Sequence, residues 1–102
     1  MPQFMVICRM KDPLDPDLQR KRAEIRPAHI EGASKLQAEG KLLLGGMVQD
    51  EAGNPAGSGC ICNFDNEAAL WEWLDNDPWM LGGVWHSVEV IPFKVAEHYL
   101  KH

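Results

Sequence analysis

KLLLGGMVQDEAGNPAGSGCICNF (residues 41–64) is the stretch from which the architecture can be read. Its two ends, KLLLGGMV (41–48) and SGCICNF (58–64), are rich in strand formers, and DEAGNPAGSG (50–59) between them collects turn residues. Two antiparallel strands joined by a long hairpin-type loop follow from that order. Upstream, QFMVICR (3–9) is a further strand, ended by the two Asp-Pro signals of KDPLDP, and residues 17–39 favour helix with Gly40 as the stop. Downstream, Asp65 or Asn66 caps a helix that carries Leu70, Trp73 and Leu74 on one side and ends at Asp77-Pro78. After a turn through residues 79–83, VWHSVEVI (84–91) is the fourth strand, closed by Pro92, and the tail VAEHYLKH is one frayed helix. The order β-α-β-β-α-β is the split βαβ arrangement, an α+β fold with an antiparallel four-stranded sheet and both helices on one face.

Pro27 complicates the first helix. Unbroken, residues 17–39 would form a rod of about 35 Å, long for so small a domain. Proline removes an amide and pushes Arg26 away from helical ψ, so a break is expected, with a second helical segment carrying Pro27 in its first turn. Within that segment His29 precedes Ala33 and Leu36 by offsets that rotate it only about +40° and −20°, so it shares their inward stripe. The same arithmetic extends the Leu70 and Leu74 stripe to Asp77. An inward histidine and an inward aspartate on neighbouring helices can meet. The positive end of a helix disfavours imidazolium, whereas a carboxylate at hydrogen-bond distance favours it and fixes one tautomer, a combination that poises a base near neutral pH. The plainer alternatives are a satisfied core histidine and an Asp-Pro turn former or N-cap.

The totals exclude several classes. A chain of 102 residues suffices for one domain and not two, here a core of 3–95 with a tail of 96–102. Composition is that of a globular protein, and no apolar run approaches the roughly 20 residues of a membrane helix. MPQFMVICRM has neither the basic flank nor the cleavage site of a secretory signal, which makes the cytoplasm the expected location. Net charge is −5, and the one basic cluster, Arg20, Lys21 and Arg22, is followed closely by Glu24, so it reads as a solvated helix face and no nucleic-acid footprint. Cys60-x-Cys62 places two of the three cysteines on one strand face, where they cannot bridge each other, and the spacing suits no zinc site; reduced thiols and no metal are expected. Both strand faces are apolar. Phe4, Val6 and Cys8 alternate with Met5 and Ile7, while Val84, His86, Val88 and Val90 alternate with Trp85 and Ile91, so the second face is expected to be covered by a second copy in a homodimer.

The remaining candidates are weaker. Gly45-Gly46 marks either a bulge or a close backbone approach by a ligand. Trp79 and Trp85 flank the Asp77 turn as pocket residues, while Trp71, Trp73 and His86 read as core or interface. GNPAGSG lacks the Lys-Ser/Thr ending of a phosphate loop, His98 and His102 carry no signal, and no serine or cysteine has an evident base.

RPAH (26–29), EGKLLLGG (39–46), DNDPWMLGGVW (75–85) and IPFK (91–94) together resemble the YCII-related protein family, over roughly residues 3–95. The resemblance implies a ferredoxin-like domain that dimerises into an α/β barrel, and it maps the family's motif histidine and aspartate, proposed there as an active-site pair, onto His29 and Asp77. Some relatives act as dehydrochlorinases on chlorinated aromatics, and the wider fold includes muconolactone isomerases and cofactor-free oxygenases. One departure is Met47, where many relatives have proline, so the pocket rim at Gly46 is expected to differ. The favoured expectation is a small enzyme without a cofactor, moving a proton on a small cyclic or aromatic-derived compound, as an isomerase or dehydrohalogenase-like lyase. In it His29 is the general base or acid, Asp77 orients it, Arg26 or Arg9 binds an anion, and Gly46, Trp79 and Trp85 border the substrate. The alternatives are a non-catalytic small-ligand binding or regulatory module, and a structural dimer in which His29 and Asp77 are a buried polar pair.

Overall fold

β1 (Gln3–Arg9) lies inside a four-stranded sheet of order β2-β3-β1-β4, formed with β2 (Leu42–Gln49), β3 (Pro55–Asn63) and β4 (Ser87–Phe93) in a computed structural model that describes residues 2–100. Every neighbouring pair is antiparallel. Two helices, α1 (Pro16–Ala38) after β1 and α2 (Glu67–Asn76) after β3, complete the ferredoxin-like order, and a short third helix, α3 (Pro78–Leu81), follows α2 directly. Register sorts the side chains. Val6 lies opposite both Cys60 and Val90, and Phe4 lies opposite Cys62, so Phe4, Val6, Cys8 and Cys62 face the helices and pack with Phe64, Leu70 and Leu74. The other face carries Met5, Ile7, Ile61 and Ile91, of which only Ile61 is buried.

The helix ends follow local chemistry. Asp15 caps α1 by accepting from the amides of Asp17 and Leu18, and Asn66 caps α2 by accepting from Ala69. At the far end of α1, Gly40 at φ +76° lets its own amide reach the Gln37 carbonyl and the Lys41 amide reach that of Leu36, a Schellman closure.

Four expectations need correction. α1 runs unbroken through Pro27. Proline and Ala23, whose carbonyl loses its partner, are both exposed, so water can satisfy that carbonyl, and the caps at each end hold the helix together. The hairpin loop is shorter than its turn-rich sequence suggests, because the Asp50 carboxylate accepts from the amides of Ala52 and Asn54 and closes the turn by Asn54. β4 begins at Ser87 and continues through Pro92. Val84 is drawn out of the strand because its amide donates to Trp79, and Pro92 is tolerated because β4 is an edge strand that has no partner on its outer side. His86, which precedes the strand, is accordingly exposed in the chain. In the tail the expected helix is a single 3-10 turn at Glu97–Tyr99, and residues 101–102 lie outside the described residues.

Candidate active site

Continuity of α1 through Pro27 has a consequence for what lines up with His29. One turn back is Arg26 and two turns back is Arg22, so the stripe reads Arg22, Arg26, His29, Ala33 along one side of the helix. All four border a cavity of about 580 Å³ between α1, the helix-facing side of the sheet, and the α2–α3 corner. Val6, Cys8 and Cys60 form its floor, Trp73, Asp77, Trp79 and Trp85 its far wall, and the β2 backbone from Leu42 to Met47 its rim.

Asp77 is the sole buried charged or polar residue among the described residues, at 8% exposure. It sits at the joint where α2 ends and α3 begins, and its two carboxylate oxygens have separate tasks. Oδ2 accepts from the Trp79 amide as the N-cap of α3, and Oδ1 lies 2.8 Å from His29 Nδ1. Nδ1 is thereby engaged, leaving Nε2 as the ring nitrogen that can serve a ligand. The His29 ring also stacks on Trp79, with centroids 3.8 Å apart and planes 20° apart, and Trp79 meets Trp85 edge-on at 5.2 Å. Trp79 in turn donates from its indole nitrogen to the Arg22 carbonyl at 3.0 Å, tying α3 to α1. Close approach of the two helices needs Gly82, where a Cβ would collide with Ile25. The imidazole is thus held by one hydrogen bond and one stacking surface, which fixes both its tautomer and its plane.

Electrostatics divide the cavity into a neutral floor and a cationic wall. Burial, and after it the negative charge of Asp77, pushes the Cys8 thiol up to about 12, and Cys60 is raised as well, by its hydrogen bond with Cys62 and then by burial. Such thiols stay protonated at neutral pH and are poor nucleophiles. Arg22 is lowered from the usual arginine value by burial and then by Arg26. Its guanidinium lies 5.0 Å from the Trp79 ring centroid, and its Nε is buried with no hydrogen-bond partner among the described residues. Among those residues, no group of three or more His, Cys, Asp or Glu side chains is placed to hold a metal, and no helix is long and apolar enough to cross a membrane.

Of the residues singled out in the sequence, His29, Asp77, Arg26, Gly46, Trp79 and Trp85 all border the one cavity. Arg9 does not. Strand alternation turns it to the opposite sheet face, where it pairs with Glu89 at 3.3 Å. The Gly45-Gly46 pair is not a bulge, since the register irregularities fall on either side of it, between Leu42 and Leu44 and between Val48 and Gln49; Gly45 lies opposite Cys60 and Gly46 opposite Gly59. His29 stands in the middle of α1 and not in a first turn, so the positive helix end contributes nothing to it. Arg22 and Trp73 were missed as cavity residues. Arg22 was hidden inside the basic run, and the expected break at Pro27 cut the helical stripe that links it to His29.

Comparison with known proteins agrees with this fold. Residues 3–94 match the YCII-related domain. Protein YciI of Escherichia coli O6:H1 is 37% identical over 84 residues, covering 76% of this chain and 86% of that protein. An uncharacterized protein of Haemophilus influenzae is 36% identical over 85 residues, covering 78% and 87%. Among solved structures, the 5-chloro-2-hydroxyhydroquinone dehydrochlorinase TftG of Burkholderia phenoliruptrix, in complex with 2,5-dihydroxybenzoquinone, superposes with a TM-score of 0.78 over 94% of this chain and 97% of that chain, at 20% identity. At that identity the likeness is one of fold.

Proposed function

The chain belongs to the YCII-related domain family, and from that premise we propose that it is a small enzyme that moves a proton on a small cyclic or aromatic-derived compound, as an isomerase or a dehydrohalogenase-like lyase. The single observation that carries the reading is the 2.8 Å contact between His29 Nδ1 and Asp77 on the wall of the cavity. With Nδ1 hydrogen-bonded to the carboxylate, Nε2 takes a proton from a carbon or oxygen acid of the substrate, and the imidazolium so formed is stabilised by Asp77. The electron pair left on the substrate either collects a proton at another atom, which isomerises it, or expels a halide ion, which eliminates it. Neither route oxidises or reduces the substrate overall, because a proton is lost together with a halide or is returned at another atom, so this chemistry calls for no redox cofactor. Arg26, the Gly46 rim, Trp79 and Trp85 bind the substrate in this reading, and the apolar walls hold a flat ring.

The compound named in the structural neighbour's activity, 5-chloro-2-hydroxyhydroquinone, suggests the first probes. Chloride release from chlorinated hydroxyhydroquinones, and proton exchange into ring positions of unhalogenated analogues, are measured for the native chain and for His29→Ala. Turnover that vanishes in His29→Ala while the fold persists supports the reading. Equal turnover in both would sink it, and tight binding with no turnover would make the chain a ligand-binding module. A second proposal concerns assembly: two copies pair through the face bearing Met5, Ile7, Ile61 and Ile91, which one chain leaves partly exposed. Sedimentation at micromolar concentration should show a dimer; a species of 11.5 kDa would refute it.

A further inference from the structure

We propose that Arg22 and Arg26 together form an oxyanion-binding site, so that the compound taken into the cavity is a small planar organic anion, held by a carboxylate or an enolate oxygen. This deepens the proton-transfer reading and rests on it for what happens next to the anion.

The placement comes first. Both arginines lie on the stripe of α1 that ends at His29, and both border the cavity. Neither belongs to any ion pair among the described residues, although Arg9, Arg20, Lys35 and Lys41 each find a carboxylate. The one carboxylate on the cavity wall is Asp77, whose oxygens are already committed to His29 and to the Trp79 amide. Two guanidinium groups and one engaged carboxylate leave the lining positive with neutral His29, in a chain whose net charge is −5. Local reversal of sign in a partly desolvated cleft concentrates anions there.

The state of Arg22 is the second observation. Its Nε is buried without an acceptor, while its guanidinium is held against the Trp79 indole and its own backbone carbonyl accepts from that indole nitrogen. A buried donor lacking a partner is unfavourable, and the neighbouring like charge of Arg26 adds to this, so both are relieved by an oxygen anion placed between them. Arginine suits the task because its planar fork presents two parallel donors to a carboxylate or a delocalised enolate. Trp79 is also the surface on which His29 stacks. One buried indole therefore holds both groups in place, and an anion gripped by Arg22 and Arg26 lies on the same stripe of α1 as the imidazole. Arg22 is in this account a specificity-determining residue, acting on binding and leaving the proton step to His29.

Tryptophan fluorescence and calorimetric titrations test it with defined probes. Benzoate supplies a carboxylate, 2,5-dihydroxybenzoquinone at neutral pH supplies an enolate oxyanion, and benzamide and hydroquinone are their uncharged counterparts. At least one anion should bind about tenfold or more tightly than its neutral counterpart, and affinity should fall as salt rises. Arg22→Gln should abolish the anion preference without changing affinity for the neutral probe, and Arg22→Lys, which keeps the charge and the contact with the indole, should restore part of it. Which anion prevails distinguishes carboxylate from enolate. Equal or absent affinity for the anions, or an anion preference untouched in Arg22→Gln and Arg26→Gln alike, overturns the proposal. Circular dichroism confirms that each variant is folded, and Arg22→Lys provides the readout if Arg22→Gln is not. His29→Ala separates this inference from the proton-transfer reading: it should keep the anion preference, and a native chain that selects anions yet transfers no proton refutes that reading alone.

Discussion

α1 and α2 occupy the same face of the sheet, yet they are built to opposite specifications. α1 is 23 residues long and has no buried residue, whereas α2, with 10, buries Leu70 and Leu74 against Phe4, Val6 and Cys62. The short helix packs on the main core, and the long one packs through Leu18 and Ile25 on the smaller Met10, Trp79 and Val84 cluster and otherwise faces the cavity. Distance from the core is what lets α1 turn Arg22, Arg26 and His29 inward, because a helix in full contact with the sheet would have to present aliphatic side chains there. The site residues that α1 carries, Arg22, Arg26 and His29, can therefore change with less effect on stability than Leu70 and Leu74 of α2.

The largest expected effect lies on the α1 side and is one of activity. His29→Ala should lower turnover by about 10²–10⁴-fold, the range of a lost general base, while leaving the denaturation midpoint close to native. Asp77 differs because it belongs to both regions. Asp77→Asn keeps a good N-cap for α3 and a hydrogen-bond partner for His29, so it should lose activity and little stability. Asp77→Ala loses the cap too and should cost about 1 kcal/mol more. Equal stability of the two variants would show that capping Trp79 contributes nothing.

Stability reveals the contrast from the other side. Leu70 is fully buried, and Leu70→Ala should destabilise the chain by about 2–5 kcal/mol. Leu36, half-buried on α1, should cost roughly 1 kcal/mol in the same exchange. Urea midpoints at unchanged slope give both values. If Leu36→Ala proves as damaging as Leu70→Ala, the division between a helix packed on the main core and one that faces the cavity is wrong.

Element order, a cap at Asp65 or Asn66 and the approach of His29 to Asp77 were legible because they depend on strong local patterns: strand formers between turn clusters, and helical stripes of Leu70 with Leu74. Where the reading failed, specific hydrogen bonds and the position of an element in the fold decided over local preference. The Trp79 carbonyl removes Val84 from β4, and the edge position admits Pro92. Pro27 is the most instructive case, since local preference argues for a break and the capped, exposed helix absorbs it. That misreading also concealed Arg22, whose helical phase relative to His29 is visible only if the helix continues. Pro27→Ala offers a measure of what α1 absorbs. It restores an amide to an exposed position and should stabilise by about 2 kcal/mol, the helix gain of roughly 3 being offset in part by a looser unfolded chain. A loss of stability would mean that proline shapes α1 for the cavity, and a loss of anion binding with it would place that shaping at Arg22 and Arg26.

The smallest effect concerns the cavity floor, which belongs to the sheet and shares its rigidity. Cys8 is buried, and its thiol is raised from an ordinary value of 9.0 to about 12. Above pH 9 the unfolded chain releases this proton while the folded chain retains it, so the folded state binds more protons and stability falls as pH rises, until both states are ionised near pH 12. Below pH 9 the contribution is constant. At pH 10 the loss amounts to about 1 kcal/mol, read as a lower urea midpoint than at pH 8. Cys8→Ala is less stable at both values because it opens a small gap, but unfolding it at pH 10 should release about one proton fewer. The raised thiol also predicts slow alkylation of Cys8 by iodoacetamide at pH 8 in folded protein and fast alkylation in urea. Rapid labelling of the folded chain would mean that the floor opens to solvent as readily as the α1 wall, and the contrast between the two sides of the cavity would then be one of charge alone.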